Sequence, residues 1–203
     1  NMPKGNKAVW WVVVLAIVIV GVWYYSSQNS KAPEGAATTY TETIKVGAAL
    51  PLTGDAQSYG IPLKNAIELA VSHINEKMGG VGGKKLEVVY EDDKCSGKDA
   101  ANAIQKLVNV DQVKFVIGSA CSGATLAMAP VVNAAKVVLM SPSATSPDVT
   151  TKGGDYVFRL APSDAMAGKI GAEYAFNKMG ARKVAVVSES TDYAAGLRKV
   201  FTA

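Results

Sequence analysis

Histidine and cysteine are scarce in this chain: its 203 residues include one histidine, His73, and two cysteines, Cys95 and Cys121. A serine–histidine or cysteine–histidine dyad would have to use His73. That residue lies in the middle of a predicted helix, far from the strand ends where open α/β sheets bind their ligands. One histidine and two widely separated cysteines also form no recognised set of zinc ligands. We therefore expect no catalytic residue, no metal site and no cofactor.

An excess of charge of one sign is lacking as well. The 21 basic and 17 acidic side chains are mixed along the chain and leave a formal net charge of only +4. No basic stripe is interleaved with aromatic residues, which is the pattern typical of nucleic-acid binding. The sequence therefore argues against a nucleic-acid partner.

Residues 8–25 contain no charged side chain. A helix of this length, at about 1.5 Å per residue, is roughly as long as the hydrocarbon layer of a bilayer is thick. Tryptophan or tyrosine side chains stand near both ends, where the lipid interfaces would lie. We predict an uncleaved membrane anchor, with residues 1–7 in the cytoplasm and the rest of the chain outside. The alternative is a removed secretory signal, for which residues 34–37 are a weak cleavage candidate.

Strands and helices alternate after a polar segment. Residues 26–42 are rich in Ser, Thr, Ala, Pro and Gly without apolar periodicity, which is typical of a flexible linker. From Thr43 onward the predicted strands lie at 43–54, 85–92, 113–118 and 137–145. Helices are predicted between them, from about Ile61 to Met78, Lys98 to Val110 and Ser122 to Ala135. This alternation predicts a mostly parallel sheet with helices on both faces.

A second set of elements opens after residue 155. It consists of a strand at 156–162, a helix from about Ser163 to Met179, a strand at 183–190 and a helix that begins near Tyr193. We predict two lobes, at residues 43–159 and 160–203, with a crossover near Arg159 to Pro162. We also expect the second lobe to be truncated.

Two acidic residues and the two cysteines follow predicted strands. Asp92 and Asp93 would point to opposite faces of an extended segment, so we interpret them as surface or turn-forming acids and not as an acid–base pair. Cys95 and Cys121 follow strands that could be neighbours in the sheet. In an exported chain such cysteines bond more often than they react, and a nucleophilic thiol would need an activating base that is not evident. A disulfide is the favoured interpretation.

Small polar residues follow the third and fourth strands, in the sequences IGSACSGAT and SPSATSP. A helix begins near Ser122, whose hydroxyl suits the cap position, and a helix start favours a bound anion. The second loop adds the hydroxyls of Ser143 and Thr145. Two such loops side by side can bind the carboxylate and the ammonium of an amino acid. The alternative is that both are ordinary capped loops.

Five ordered segments resemble the type I periplasmic binding proteins: IKVGAALPLTGDAQSYG, VVYEDDKC, FVIGSACSGAT, LMSPSATSPDVT and YVFRLAPSD. The most similar branch is that of the Leu/Ile/Val-binding proteins, which supply an ABC importer. The resemblance implies an α/β fold of two Rossmann-like lobes with parallel sheets, joined by three crossover strands. The ligand is then held between the lobes, which close by a hinge motion, and no chemistry is performed.

The resemblance also implies roles for residues of the two polar loops. Ser122 would donate to the ligand carboxylate, and its neighbour Cys121 is a predicted ligand-binding residue as well. Thr145, with the backbone of Ser143 and Ala144, would serve the carboxylate and the ammonium.

Two tyrosines and the cysteines receive roles in the same way. Tyr59 would line the wall of the first lobe, and Tyr193 would close over the ligand from the second. The family's disulfide falls on Cys95 and Cys121. The acidic residue that usually pairs with the ligand's amino group has no counterpart in these 203 residues, so we expect weak or no binding by residues 43–203 alone.

The function implied is that of an extracytoplasmic solute-binding protein that delivers an aliphatic amino acid to ABC permease subunits. A membrane-tethered sensory ectodomain for an amino acid, an amide or a urea-like ligand is the alternative. A hydrolase based on Ser122 or Cys121 would lack a base.

Overall fold

A computed structural model describes residues 18–22, 24 and 39–203. Of the membrane span predicted at 8–25, only residues 18–22 and 24 are described, and these are helical. The predicted cytoplasmic segment at 1–7 and most of the predicted linker lie outside the described residues. In the part of the chain that is described, no helix has both the length and the apolar character needed to cross a membrane.

The folded unit begins a few residues before the predicted start at Thr43. Residues 39–203 form one compact unit. Tyr40 donates its hydroxyl to the carbonyl of Asn75, and Glu42 forms an ion pair with Lys84. The last residues of the predicted linker therefore pack against the folded part. The predicted lobe boundary between residues 159 and 160 stays a prediction.

Five strands and six helices make up this unit, in the following order: β1 (Thr43–Leu50), α1 (Gln57–Met78), β2 (Lys85–Asp92), α2 (Gly97–Asn109), β3 (Phe115–Gly118), α3 (Ser122–Ala135), β4 (Val138–Ser141), α4 (Pro147–Lys152), β5 (Val157–Arg159), α5 (Asp164–Asn177) and α6 (Asp192–Thr202). The strands form a single parallel sheet in the order β2-β1-β3-β4-β5. The predicted α/β fold with a parallel sheet is confirmed.

Helices cover both faces of this sheet because the direction of chain crossing reverses. α1 connects β1 to β2, and α2 then returns past β1 to β3. Since parallel crossovers are right-handed, the two helices lie on opposite faces. α3 connects β3 to β4 in the same direction as α2, so it shares the face of α2.

The core lies on the face covered by α2 and α3. Buried residues of α2 recur at the spacing of one helical face, at Ala100, Ala103, Ile104 and Leu107. They form one apolar cluster with Val116 of β3, Leu139 of β4, and Met128 and Val132 of α3. The face covered by α1 is less well buried, since Leu69 and Met78 of α1 are 73% and 69% exposed.

One sequence expectation in the second half of the chain is corrected, and one helix there was not foreseen. The strand predicted at 183–190 is wrong, because this segment is not assigned to a strand and pairs with none of the five that the structure describes. A strand needs a hydrogen-bonded neighbour, and Val187 is 97% exposed here. The short helix α4 was not predicted, although Pro147 at its first position is a recognised start signal.

Candidate functional site

The candidate site lies at the carboxyl ends of the strands, where chain order reverses. From β1 the chain crosses to β2 on one side, whereas β3 lies on the other side of β1. Such a switch point opens a crevice between the loops that leave the two central strands. Residues 51–56 follow β1 and residues 119–121 follow β3. Residues 142–146, which follow the neighbouring strand β4, complete the border.

Three hydrogen bonds tie the two serine-rich loops together. They run from Ser141 Oγ to Ser119 O at 2.6 Å, from Ser143 Oγ to Ala120 O at 2.9 Å, and from Ser146 N to Ser122 Oγ at 3.2 Å. Ser119, Ser122, Ser141 and Ser146 are buried. The structure thus brings together the two loops that the sequence singled out.

Helix starts around the crevice differ from the others in how they are capped. Side chains of Ser96, Ser163 and Thr191 cap α2, α5 and α6. No side chain caps α1, α3 or α4, whose starts follow the three strands β1, β3 and β4. Of these three helices, α3 keeps its first-turn N–H groups without a partner among residues 39–203, whereas α1 and α4 use first-turn N–H groups in local turns. The positive end of α3 faces the crevice.

Ser122 has a different position from the one predicted. Cys121 is the N-cap of α3, and Ser122 is the first helical residue, so the expectation that its hydroxyl caps the helix is wrong. The Ser122 oxygen instead accepts the N–H of Ser146. A hydroxyl that accepts one bond still has its proton to donate, and no acceptor for it is found among residues 39–203. Ser122 therefore offers a buried donor.

Thr145 and its neighbours offer both donors and acceptors. The Ser143 hydroxyl donates to the carbonyl of Ala120, and the Ala144 N–H donates to Ser141 Oγ, both at 2.9 Å. Within the described chain, the N–H and hydroxyl of Thr145 and the carbonyls of Ser143 and Ala144 have no partner. The loop can thus donate to a carboxylate through Thr145 and accept from an ammonium through two carbonyls.

Cys121 is bonded to Cys95, as predicted, with 5.4 Å between their Cα atoms. A thiol nucleophile is therefore absent at this position. Cys121 donates its N–H to Ser119 Oγ at 3.2 Å, and its carbonyl accepts from Thr125. Of the predicted ligand-binding residues it has the fewest free groups, and its disulfide fixes the start of α3 to the loop after β2.

The two predicted tyrosines lie in the first turns of different helices. Tyr59 of α1 is 69% exposed and Tyr193 of α6 is 42% exposed. Gly60 lets α1 approach the loop after β1, since a Cβ there would lie 1.9 Å from the carbonyl oxygen of Pro51. At Gly123, next to Ser122, a Cβ would lie 2.5 Å from Asp192 Oδ2. The first turn of α6, with Tyr193, therefore lies beside the start of α3.

The adjacent acids Asp92 and Asp93 have opposite environments. Asp92 accepts from Leu52 N at 2.8 Å, from Thr53 N at 3.3 Å and from the Thr53 hydroxyl. Partial burial opposes its ionisation, but these bonds and the Lys94 N–H outweigh that effect and hold the Asp92 pKa below its usual range. Asp92 thus fixes the loop after β1, as expected of a turn-forming acid.

Asp93 is fully buried, so it is not a surface acid, but its bonds from Cys95 N and Ser96 N make it turn-forming, which was the other half of the interpretation. One oxygen accepts the Cys95 N–H at 2.8 Å, and the other has no hydrogen-bond partner within the described residues. Burial raises the pKa of Asp93, and the hydrogen bond from the Cys95 N–H offsets this only in part. His73, by contrast, is exposed on α1 and is not part of the site.

Comparison with known families and proteins identifies the architecture. A family model described as "Periplasmic binding protein" matches residues 43–203. The Leu/Ile/Val-binding protein homolog 3 of Brucella melitensis is 33% identical over 178 residues, which are 88% of this chain and 48% of that protein. The chain spans about half the length of such relatives.

Two solved structures carry bound ligands. A branched-chain amino acid transporter substrate binding protein from Streptococcus pneumoniae, in complex with isoleucine, is 40% identical with a TM-score of 0.70. The match covers 79% of this chain and 46% of that one. An ABC transporter solute binding protein from Rhodopseudomonas palustris, in complex with 3,4-dihydroxybenzoic acid, is 31% identical with a TM-score of 0.65. That match covers 79% of this chain and 44% of the other.

Proposed function

Residues 43–203 belong to the periplasmic binding protein family, and on that premise we propose that the protein is an extracytoplasmic solute-binding protein for an aliphatic amino acid. The observation that carries the proposal is the pair of cross-tied loops. They present a buried Ser122 hydroxyl and a Thr145 N–H and hydroxyl as donors, and two carbonyls as acceptors. These groups match the two ends of a zwitterion.

The carboxylate of the ligand is held at the start of α3. Ser122 donates its hydroxyl, Thr145 adds its hydroxyl and N–H, and the uncapped first turn of α3 supplies N–H groups at the positive end of the helix. Hydrogen bonds to a charged group are shorter and stronger than those between neutral groups.

The ammonium distinguishes an amino acid from other carboxylates. The R. palustris relative was solved with a dihydroxybenzoic acid, which also has a carboxyl group but no ammonium. In this chain the carbonyls of Ser143 and Ala144 would then face the ligand without a donor. Unpaired polar groups beside a bound ligand cost affinity, so the free carbonyls favour an amino acid. The exposed rings of Tyr59 and Tyr193 supply apolar surface for an aliphatic side chain.

The same proposal includes the cellular context. Residues 8–25 anchor the protein in the membrane unless they are cleaved, and the binding lobes lie outside the cytoplasm, where they pass the ligand to permease subunits. The disulfide supports an oxidising compartment. No chemical step is proposed, because the Cys121 sulfur is bonded to Cys95 and His73 lies exposed on α1, away from the serines.

Calorimetry of the full-length protein tests the proposal. L-Leucine, L-isoleucine and L-valine should bind, whereas 4-methylpentanoate, which lacks the amino group, and isoamylamine, which lacks the carboxylate, should bind at least about tenfold more weakly. Heat from 3,4-dihydroxybenzoate or urea, with none from any amino acid, would overturn the ligand assignment. Uptake of labelled leucine, lost on deletion of the gene, distinguishes transport from a sensory role.

A further inference from the structure

Arg159, the last residue of β5, turns its side chain toward the second of the two loops. It is paired in register with Ser141, the residue from which that loop starts. Its Nη1 donates to the carbonyls of Thr145 and Ser146, both at 2.9 Å, and its Nη2 donates to Thr150 Oγ1 at 2.7 Å. The guanidinium thus holds two consecutive carbonyls of the loop and a hydroxyl of α4.

Arg159 donates hydrogen bonds only to neutral oxygens of the described residues. No carboxylate of the described residues lies within ion-pair distance of it, and its three hydrogen bonds go to two backbone carbonyls and one hydroxyl. A planar guanidinium can bridge two adjacent carbonyls in a fixed geometry, which the single ammonium of lysine does less well. The half-buried cation is therefore directed at the loop and not at a counter-ion.

One peptide unit connects Arg159 to Ser122. The peptide between Thr145 and Ser146 is trans, so its C=O and its N–H point in opposite directions. The C=O accepts from Arg159 and also from the Asp164 N–H, both at 2.9 Å, and the N–H of the peptide donates to Ser122 Oγ at 3.2 Å. A chain of hydrogen bonds thus runs from the guanidinium through this peptide to the Ser122 hydroxyl. Each bond in such a chain polarises the next.

We propose that Arg159 is a positioning residue for the ligand carboxylate, acting through the Thr145–Ser146 peptide on the Ser122 hydroxyl. The cation draws electron density toward the Thr145 carbonyl, which makes the Ser146 N–H a stronger donor. Ser122 is then fixed as an acceptor toward Ser146, and its proton is directed to the ligand. This inference rests on the proposed function for the part that concerns the ligand.

A double-mutant cycle on the full-length protein tests the connection. Arg159→Gln should weaken leucine binding about tenfold, and Arg159→Lys should restore part of the loss. In a Ser122→Ala background, Arg159→Gln should have almost no further effect on affinity. Arg182→Gln is the matched control, since Arg182 Nη1 also donates to two backbone carbonyls, those of Phe176 and Ala181, at 3.0 Å each. Additive losses from Arg159→Gln and Ser122→Ala would overturn the proposal.

The Ser146 amide gives a second readout that needs no ligand. In 15N-labelled protein, Arg159→Gln should shift the Ser146 amide proton upfield and speed its exchange with solvent, whereas Arg182→Gln should not. An unchanged Ser146 amide would overturn the role of Arg159 even if affinity falls. If the unchanged protein binds no amino acid while the amide responds as expected, the proposed function and the ligand part of the inference fail. The action of Arg159 on the peptide would then stand.

Discussion

The Ser146 N–H donates to Ser122 Oγ and so joins the loop after β4 to the first residue of α3. The bond uses the Ser122 oxygen as an acceptor and leaves its proton for a ligand. Ser122 therefore has two roles, one in the packing of the loops and one in binding, and the two can be separated by measurement.

Ser122→Ala should weaken leucine binding and destabilise the fold. Loss of a hydrogen bond to a charged group corresponds to about 1.5–3 kcal/mol, or roughly a tenfold to hundredfold loss of affinity. The substitution also leaves the Ser146 N–H buried without an acceptor, which should lower the free energy of unfolding by about 1–3 kcal/mol. Calorimetry and urea unfolding measure the two effects.

Ser72→Ala, which removes a hydroxyl bonded to Glu76 on α1, is the control and should change neither affinity nor stability appreciably. Unchanged affinity in Ser122→Ala would remove Ser122 from the site.

Reduction of the Cys95–Cys121 disulfide should destabilise the protein. The bridged cysteines are 26 residues apart, and constraint of the unfolded chain by such a loop is worth about 3.5 kcal/mol in the chain-entropy model. The urea midpoint should therefore fall in dithiothreitol. The double variant Cys95→Ala, Cys121→Ala should be equally destabilised and should no longer respond to the reductant. A midpoint that dithiothreitol leaves unchanged in the parent protein would contradict this.

Asp93 should make the protein less stable as pH rises above about 4. Because burial raises its pKa in the folded state, the folded protein binds more protons than the unfolded chain between the ordinary carboxyl pKa and the raised value. Stability attributable to Asp93 is therefore fully present below the ordinary pKa and is lost as pH rises through the folded pKa. Urea unfolding from pH 4 upward should show this loss in the parent protein relative to Asp93→Asn. The reverse slope would show that Asp93 is stabilised as a carboxylate.

Tyr193→Ala should weaken leucine binding without a comparable loss of stability. The ring is 42% exposed in the first turn of α6, so its removal opens no cavity in the core. On the proposed function it covers the aliphatic side chain of the ligand. Tyr174→Ala on α5, where the tyrosine is 59% exposed, is the matched control and should leave affinity unchanged. Equal affinities of the Tyr193→Ala and parent proteins would place Tyr193 outside the binding surface.

Local sequence patterns were sufficient for most of the elements. The buried face of α2 is visible as an apolar spacing, and Ser96 at its start is an ordinary cap signal. The strand predicted at 183–190 failed because its valines satisfy strand propensity, whereas a strand also needs a neighbour in space. Arg159 was recognised only as part of a crossover, since nothing in its local sequence shows which carbonyls it reaches.

The sequence by itself determined the α/β alternation, the two serine-rich loops and the pair of cysteines, because periodicity, cap residues and residue type act over a few neighbouring positions. Only the tertiary structure decided that Cys121 and not Ser122 is the N-cap of α3, that Asp93 is buried, and that one peptide links Arg159 to Ser122. Each of these depends on contacts between residues far apart in the chain. Such contacts are set by strand order and by the packing of loops at the sheet edge, which no local pattern encodes.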